Sequence, residues 1–351
     1  MCSLHWSTRV VDPKAVIPYP PAMNRRRFLL TSLAAPLALP RALEAQPAAR
    51  MPTVGVLWHA GSAEEEAIYL GAFREGLTGL GYIEGKTIRL EHRFPNEQPE
   101  RFVSQAAELA ALKVDLIVAV TRLAALAAQR ATTSIPIVFI AVPDPVGTKL
   151  VESVARPGGN ITGLTQIAVE LSAKRLELLK AIMPGLSRAA LLVNGNDPQG
   201  SHRYIEETQA AGDTLRVAVQ PVEVRALSDL DSAFDRVVAS RLQAMMVPGD
   251  GLFYQGRALI AQAGLTRHLP VMVISREMLE AGALASYGAD VRALFRRTAV
   301  YIDKILKGPR PATLPVEGPT RFEFLINLKV ARAIGLTIPP PLLQRADQVL
   351  E

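Results

Sequence analysis

The residues able to do chemistry in this chain sit just beyond short apolar runs. His59 follows TVGVLW, Thr121 and Arg122 follow DLIVAV, and Asp144 closes the run that begins at Ile137. Further along, Asn194 and Asn196 follow AALLV, Asp250 follows AMMVPG, and Ser275 and Arg276 follow VMVI. Any one of them serves equally well as a cap or a turn; Thr121, for example, is placed to N-cap the stretch behind it. As a set they suit recognition of a small polar solute. A helix N-terminus with a hydroxyl and free N–H groups receives a carboxylate. A buried ammonium needs an acid, and Asp250, Asp144 and Asp290 are the candidates, Asp250 first.

Signatures of catalysis are missing. LGYIEGKT (80–87) ends like a phosphate-binding loop, but Leu80 stands where that loop needs glycine, and the segment leads into a strand instead of opening a helix. HAGSAEEE, after the first apolar run, lacks the dinucleotide-binding glycine pattern. His59, His92, His202 and His268 show no metal-ligand spacing. No G-x-S-x-G elbow occurs. No cofactor is expected. A secreted α/β enzyme such as a hydrolase remains the rival reading, and turnover of esters or amides would distinguish it.

The elements that position these residues follow a regular alternation. Strands are expected at 53–58, 86–93, 115–120 and 137–142, with helices at 63–80, 99–112 and 122–130 between them. The rhythm repeats with strands at 189–194, 216–221, 244–248 and 271–275 and helices near 201–211, 226–240 and 255–267. Strands alternating with helices imply parallel sheets with right-handed crossovers. Two such runs predict two Rossmann-like α/β lobes. The turn-rich ARPGGNITGLT (155–165) is the place to pass from one to the other. In such sheets ligands bind beyond the carboxyl ends of the strands, so the polar strand ends would face each other across a cleft.

The N-terminal region reads as an address. Arg25, Arg26 and Arg27 precede a short apolar run, 28–40, and Leu43-Glu44-Ala45 resembles a cleavage site. The run is too short to span a bilayer, and Pro36 and Pro40 interrupt it. Paired arginines before Phe28 and Leu29 resemble a twin-arginine export motif. Met23 is the expected true start, which makes 1–22 an upstream extension, 23–45 a signal peptide and Gln46 the approximate mature start. The single cysteine, Cys2, falls in that extension. Six of the 39 Lys and Arg and two of the 33 Asp and Glu lie in residues 1–45, leaving 33 bases against 31 acids. A balance near +2 is no footprint for nucleic acid. A DNA-binding regulator, which shares the two-lobed fold, is excluded because the signal peptide would export the chain and no helix-turn-helix module precedes Thr53.

Four stretches carry a resemblance: DPVGTKLVESVARPGGNITGLT (144–165), LELLKAIMPGLSRAALLVN (176–194), REMLEAGALASYGADVRALFRRTAVYIDKILKG (276–308) and LPVEGPTRFEFLINLKVARAIGLTIPPPLL (314–343). The chain resembles the ABC-transporter substrate-binding proteins of the tryptophan/tyrosine type, a branch of the type I periplasmic binding fold. The resemblance implies two lobes, 51–163 with 287–316 and 164–286 with 317–351. Three crossings, near 162–165, 284–288 and 314–322, would join them as a hinge, and the helix at 290–306 would return to the first lobe. It also implies a periplasmic monomer that captures a small molecule, an amino acid or similar carboxylate, for a membrane permease. Tyr287, at the second crossing, joins the candidate ligand contacts. Trp58-His59-Ala60 and Arg122 depart from the small residues expected at those places.

Overall fold

The computed structural model describes residues 50–351. The expected leader (23–45) and upstream extension (1–22) lie outside the described residues.

The first half of the chain forms β1 (Thr53–Leu57), α1 (Ala67–Gly79), β2 (Arg89–Arg93), α2 (Pro99–Ala111), β3 (Leu116–Val120), α3 (Thr121–Ala131), β4 (Ile137–Val142) and β5 (Ile161–Thr165). The second run is α4 (Ser172–Ile182), β6 (Arg188–Asn194), α5 (Pro198–Leu215), β7 (Ala218–Val224), α6 (Leu230–Ala239) and β8 (Met245–Met246). It continues through α7 (Gly251–Gln255), α8 (Arg257–Thr266), β9 (Val271–Val273), α9 (Arg276–Glu280) and β10 (Ala285–Ala289). Last come α10 (Val291–Leu306), β11 (Phe322–Asn327), α11 (Leu328–Ala333), α12 (Pro340–Arg345) and β12 (Gln348–Leu350).

Two sheets result. The first has the order β2-β1-β3-β4-β5 and is parallel throughout; the second runs β12-β11-β10-β9-β8-β6-β7. Its β7-β6-β8-β9-β10 part repeats the topology of the first sheet, so the two-lobed α/β expectation holds. The exception to parallel pairing is β11, antiparallel to β10, a hairpin-like return that the sequence rhythm did not signal. Central strands LIVAV and IVFIAV are buried along their whole length because helices cover both faces. By contrast β2, RLEHR, lies at the sheet edge and is only partly buried.

The expected helix at 63–80 begins four residues later, since 63–66 form a turn, and the expected helix at 255–267 divides at Gly256 into α7 and α8. α10 follows the second sheet in sequence but packs on α1 of the first. The approach is close: a Cβ on Gly76 would strike the Arg296 carbonyl. Phe295 of α10 stacks on Tyr69 at 4.8 Å and on Trp58 at 5.8 Å.

Crossings between the sheets lie a few residues beyond the boundaries written above. Leu164 and Thr165 still pair in the first sheet, and Tyr287 to Ala289 still pair in the second. The first and third crossing segments run side by side: the Thr165 N–H donates to the Glu317 carbonyl at 2.9 Å, and the Glu317 N–H to Gly163 at 3.1 Å.

Candidate ligand-binding cleft

The carboxyl ends of both sheets face one cleft of about 980 Å³, its solvent mouth included. In each sheet the strand order reverses between the first strand and the third, at β1/β3 and at β6/β8. Adjacent crossovers leave in opposite directions there, which opens a crevice. His59 and Thr121 stand at the first reversal, Asn194 and Asp250 at the second, and all four line the cleft.

His59 is buried between two carboxylates. Its Nε2 lies 2.7 Å from Glu66 and its Nδ1 3.0 Å from Glu97, at ion-pair distance but without hydrogen-bond alignment. Burial opposes its charge, yet Glu66 and Glu97 outweigh burial and push its pKa up to about 10. Glu97 shifts upward through burial, with His59 drawing it partly back. Gly251 completes the contact: a Cβ there would collide with the Glu97 carboxylate and force it aside.

Asp250 N-caps α7, accepting from Leu252 N–H at 2.9 Å, and receives both contacts of the Asn194 amide at 3.0 and 3.1 Å. Part of its surface stays open. Desolvation, then the charges of Glu97 and Asp197, raise its pKa to about 7.

Thr121 does not act as the expected N-cap. It is already the first residue of α3, Val120 precedes it without a side-chain cap, and its φ is +74°. A β-branched residue in the left-handed region is strained, and here the strain turns the start of α3 into the cleft. Arg122 pairs with Asp197 of the opposite lobe and donates to Gln199 Oε1 at 2.7 Å. Asp144 likewise receives Arg203 Nε from across the cleft at 3.1 Å, while its other oxygen accepts the Gly147 N–H at 2.8 Å. Ser275 lines the cleft and caps α9.

Three expected contacts are not brought to the cleft. Arg276 turns away and pairs with Glu323 at 3.1 Å, because its neighbour Ser275 takes the inward direction. Tyr287 stacks on Phe322 at 6.4 Å, within the β10/β11 pair. Asp290 caps α10 through the Ala293 N–H at 3.1 Å.

The residues missed were Glu66, Glu97, Asp197 and the aromatic wall of Tyr69, Phe253, Tyr254 and Phe295. Glu66 had a readable signal. It precedes Tyr69, Leu70, Phe73 and Leu77 at the spacing of one buried helix face, where a charge is out of place. Tyr69 donates to Glu277 Oε2 at 3.1 Å, and Arg292 Nε holds the other oxygen at 2.7 Å, so a further polar contact links the lobes behind the wall. Among the described residues, no group of three or more His, Cys, Asp or Glu is arranged to hold a metal ion. Among the same residues no helix is long and apolar enough to cross a membrane.

This arrangement can enclose a small molecule carrying opposite charges. A tyrosine-binding protein of Clostridioides difficile (strain R20291) is 26% identical over 267 residues, 75% of this chain and 75% of that protein. The crystal structure of a conserved domain protein from Vibrio cholerae O1 biovar El Tor superposes with TM-score 0.80 at 26% identity, covering 86% of this chain and all of that one. The ABC domain from Streptococcus pneumoniae, in complex with L-Trp, gives TM-score 0.78 at 27% identity over 85% of this chain and 99% of that one. The family model described as ABC transporter substrate binding protein matches residues 60–350, nearly the whole described chain, and the chain belongs to that family.

Proposed function

We propose that this protein is the extracytoplasmic solute receptor of an ABC importer, closing on an amino acid and presenting it to a membrane permease. One observation carries the reading: polar groups of both signs converge from two lobes on one cleft that also has an aromatic wall. The ligand carboxylate goes to the N-terminus of α3, where exposed N–H groups, the helix dipole and the Thr121 hydroxyl favour an anion. The ammonium goes to Asp250 and Glu97. The apolar remainder lies along Tyr69, Tyr254 and Phe295. The roles of these residues, export through the segment 23–45 and the twin-arginine route belong to the same proposal. So does the absence of catalysis.

The experiment purifies the protein from periplasmic extract, determines its N-terminus, and identifies by mass spectrometry the small molecules released on denaturation. The expected result is a chain beginning near Gln46 and a retained amino acid. A retained sugar or nucleotide would overturn the ligand reading, and a cytosolic product keeping residues 28–40 would overturn export.

A further inference from the structure

The charges around the cleft do not balance. Arg122 is occupied by Asp197, Arg203 by Asp144, and Glu277 by Arg292. What remains is a single base, His59, against three acids: Glu66, Glu97 and Asp250. Glu97 lines the cleft, is only 7% exposed, and its Oε1 accepts no hydrogen bond. Asp250 comes from the other lobe and is held next to it, because Gly251 packs directly on the Glu97 carboxylate.

A zwitterionic amino acid does not correct this imbalance, since it brings one charge of each sign. Its ammonium answers one acid, its carboxylate goes to α3, and a second acid must either stay ionised without a partner or take up a proton in a closed cleft. Such a group is costly. A ligand with an additional cation resolves it. The neighbouring wall suits the same chemistry: the rings of Tyr69, Tyr254 and Phe295 accommodate an aliphatic stem, and aromatic faces attract a cation.

We infer that the cleft selects an amino acid with a cationic side chain, an ω-ammonium or guanidinium, over the neutral aromatic amino acids named for its relatives. This rests on the amino-acid reading above and narrows it. Glu97 and Asp250 serve as the two cation acceptors, one from each lobe, and His59 fixes the Glu97 carboxylate in place.

Calorimetry on the full-length exported protein, freed of retained ligand, would titrate arginine, lysine, tyrosine and tryptophan. Arginine or lysine is expected to bind at least tenfold more tightly than either aromatic amino acid. In Glu97→Gln that margin is expected to fall by tenfold or more. If Glu97→Gln does not fold, the wild-type ranking alone decides. Tyrosine or tryptophan binding as tightly as arginine and lysine overturns the inference and leaves the amino-acid receptor intact. Binding of none of the four overturns both.

Discussion

At Asp250 one carboxylate caps α7, receives the Asn194 amide and faces a cleft without a base of its own. Its pKa is raised from 3.8 to about 7, so the empty folded protein holds a proton there that the unfolded chain releases at lower pH. The stability this contributes is complete below pH 3.8 and is lost as pH rises through about 7. His59 works in the same direction but in a higher window: its stabilising charge, present below 6.5, is lost as pH rises through about 10. Around pH 8, therefore, Asp250 has become a cost while His59 still carries its charge. Asn keeps the cap and removes the charge. Asp250→Asn is expected to stabilise the empty protein at pH 8 by about 2 kcal/mol, the full shift being discounted because part of the residue is open to water. The gain should shrink to less than half at pH 5 and vanish only below pH 3.8. Ligand affinity should move the other way and fall roughly a hundredfold, as an ammonium loses its ionised partner. Melting curves at the two pH values and calorimetry at pH 8 check both signs; equal destabilisation at both pH values would remove Asp250 from this role.

The elements were far more legible than the side chains they carry. Strands β1, β3, β4 and β6 are read from the sequence to within a residue or so, because a strand covered on both faces must be apolar throughout. That β11 pairs antiparallel with β10 depends on contacts far apart in sequence, which no local pattern encodes. In the site, the strand-end rule found His59, Thr121, Asn194 and Asp250 because topology puts backbone there whatever the side chain. It failed at Arg276, one step past Ser275 at the start of α9, and Tyr287, taken from the resemblance, packs instead within the β10/β11 pair. Glu97 and Asp197 lie in loops and took their meaning only when the lobes met. Helix α3 shows how an element can trade stability for a site. Thr121 holds φ +74°, a conformation costing about 1–3 kcal/mol for a non-glycine residue. Thr121→Gly should relieve it and raise stability by about 1 kcal/mol, while affinity falls about tenfold with the loss of a hydrogen bond to an ionised carboxylate. Thr121→Ser should keep affinity within a few-fold of wild type. A glycine variant that binds as well as the parent would show that the helix N–H groups hold the carboxylate without the hydroxyl.

Across the whole molecule, closure is held by pairs that span the lobes with opposite polarity: Arg122 of the first to Asp197 of the second, and Asp144 of the first to Arg203 of the second. Gln255 adds hydrogen bonds to Asn96 at 2.6 Å and Glu65 at 3.2 Å. These contacts need no ligand, so they set the closed population of the empty protein, and the apparent affinity scales with that population. The buried pair Arg122–Asp197 dominates because its partners lose most of their water. Removing one partner of a buried pair ordinarily costs about 3–5 kcal/mol. Here the lone charge has an escape, since opening the cleft returns it to water, and the cost appears as a shift toward the open form. Arg122→Ala strands Asp197 and should open the empty protein, raising its radius of gyration in small-angle scattering and weakening ligand binding by tenfold or more. Arg122→Ala with Asp197→Ala removes both charges, leaves nothing to hydrate, and should recover most of the closed population and most of the affinity. Saturating ligand should shrink the radius in all three proteins, because the crossings at Thr165, Asp290 and Glu317 are untouched. If the single variant keeps the wild-type radius and affinity, the pair is incidental to closure. If the double variant is as open as the single one, Arg122 acts through its contact with Gln199 and not through its charge.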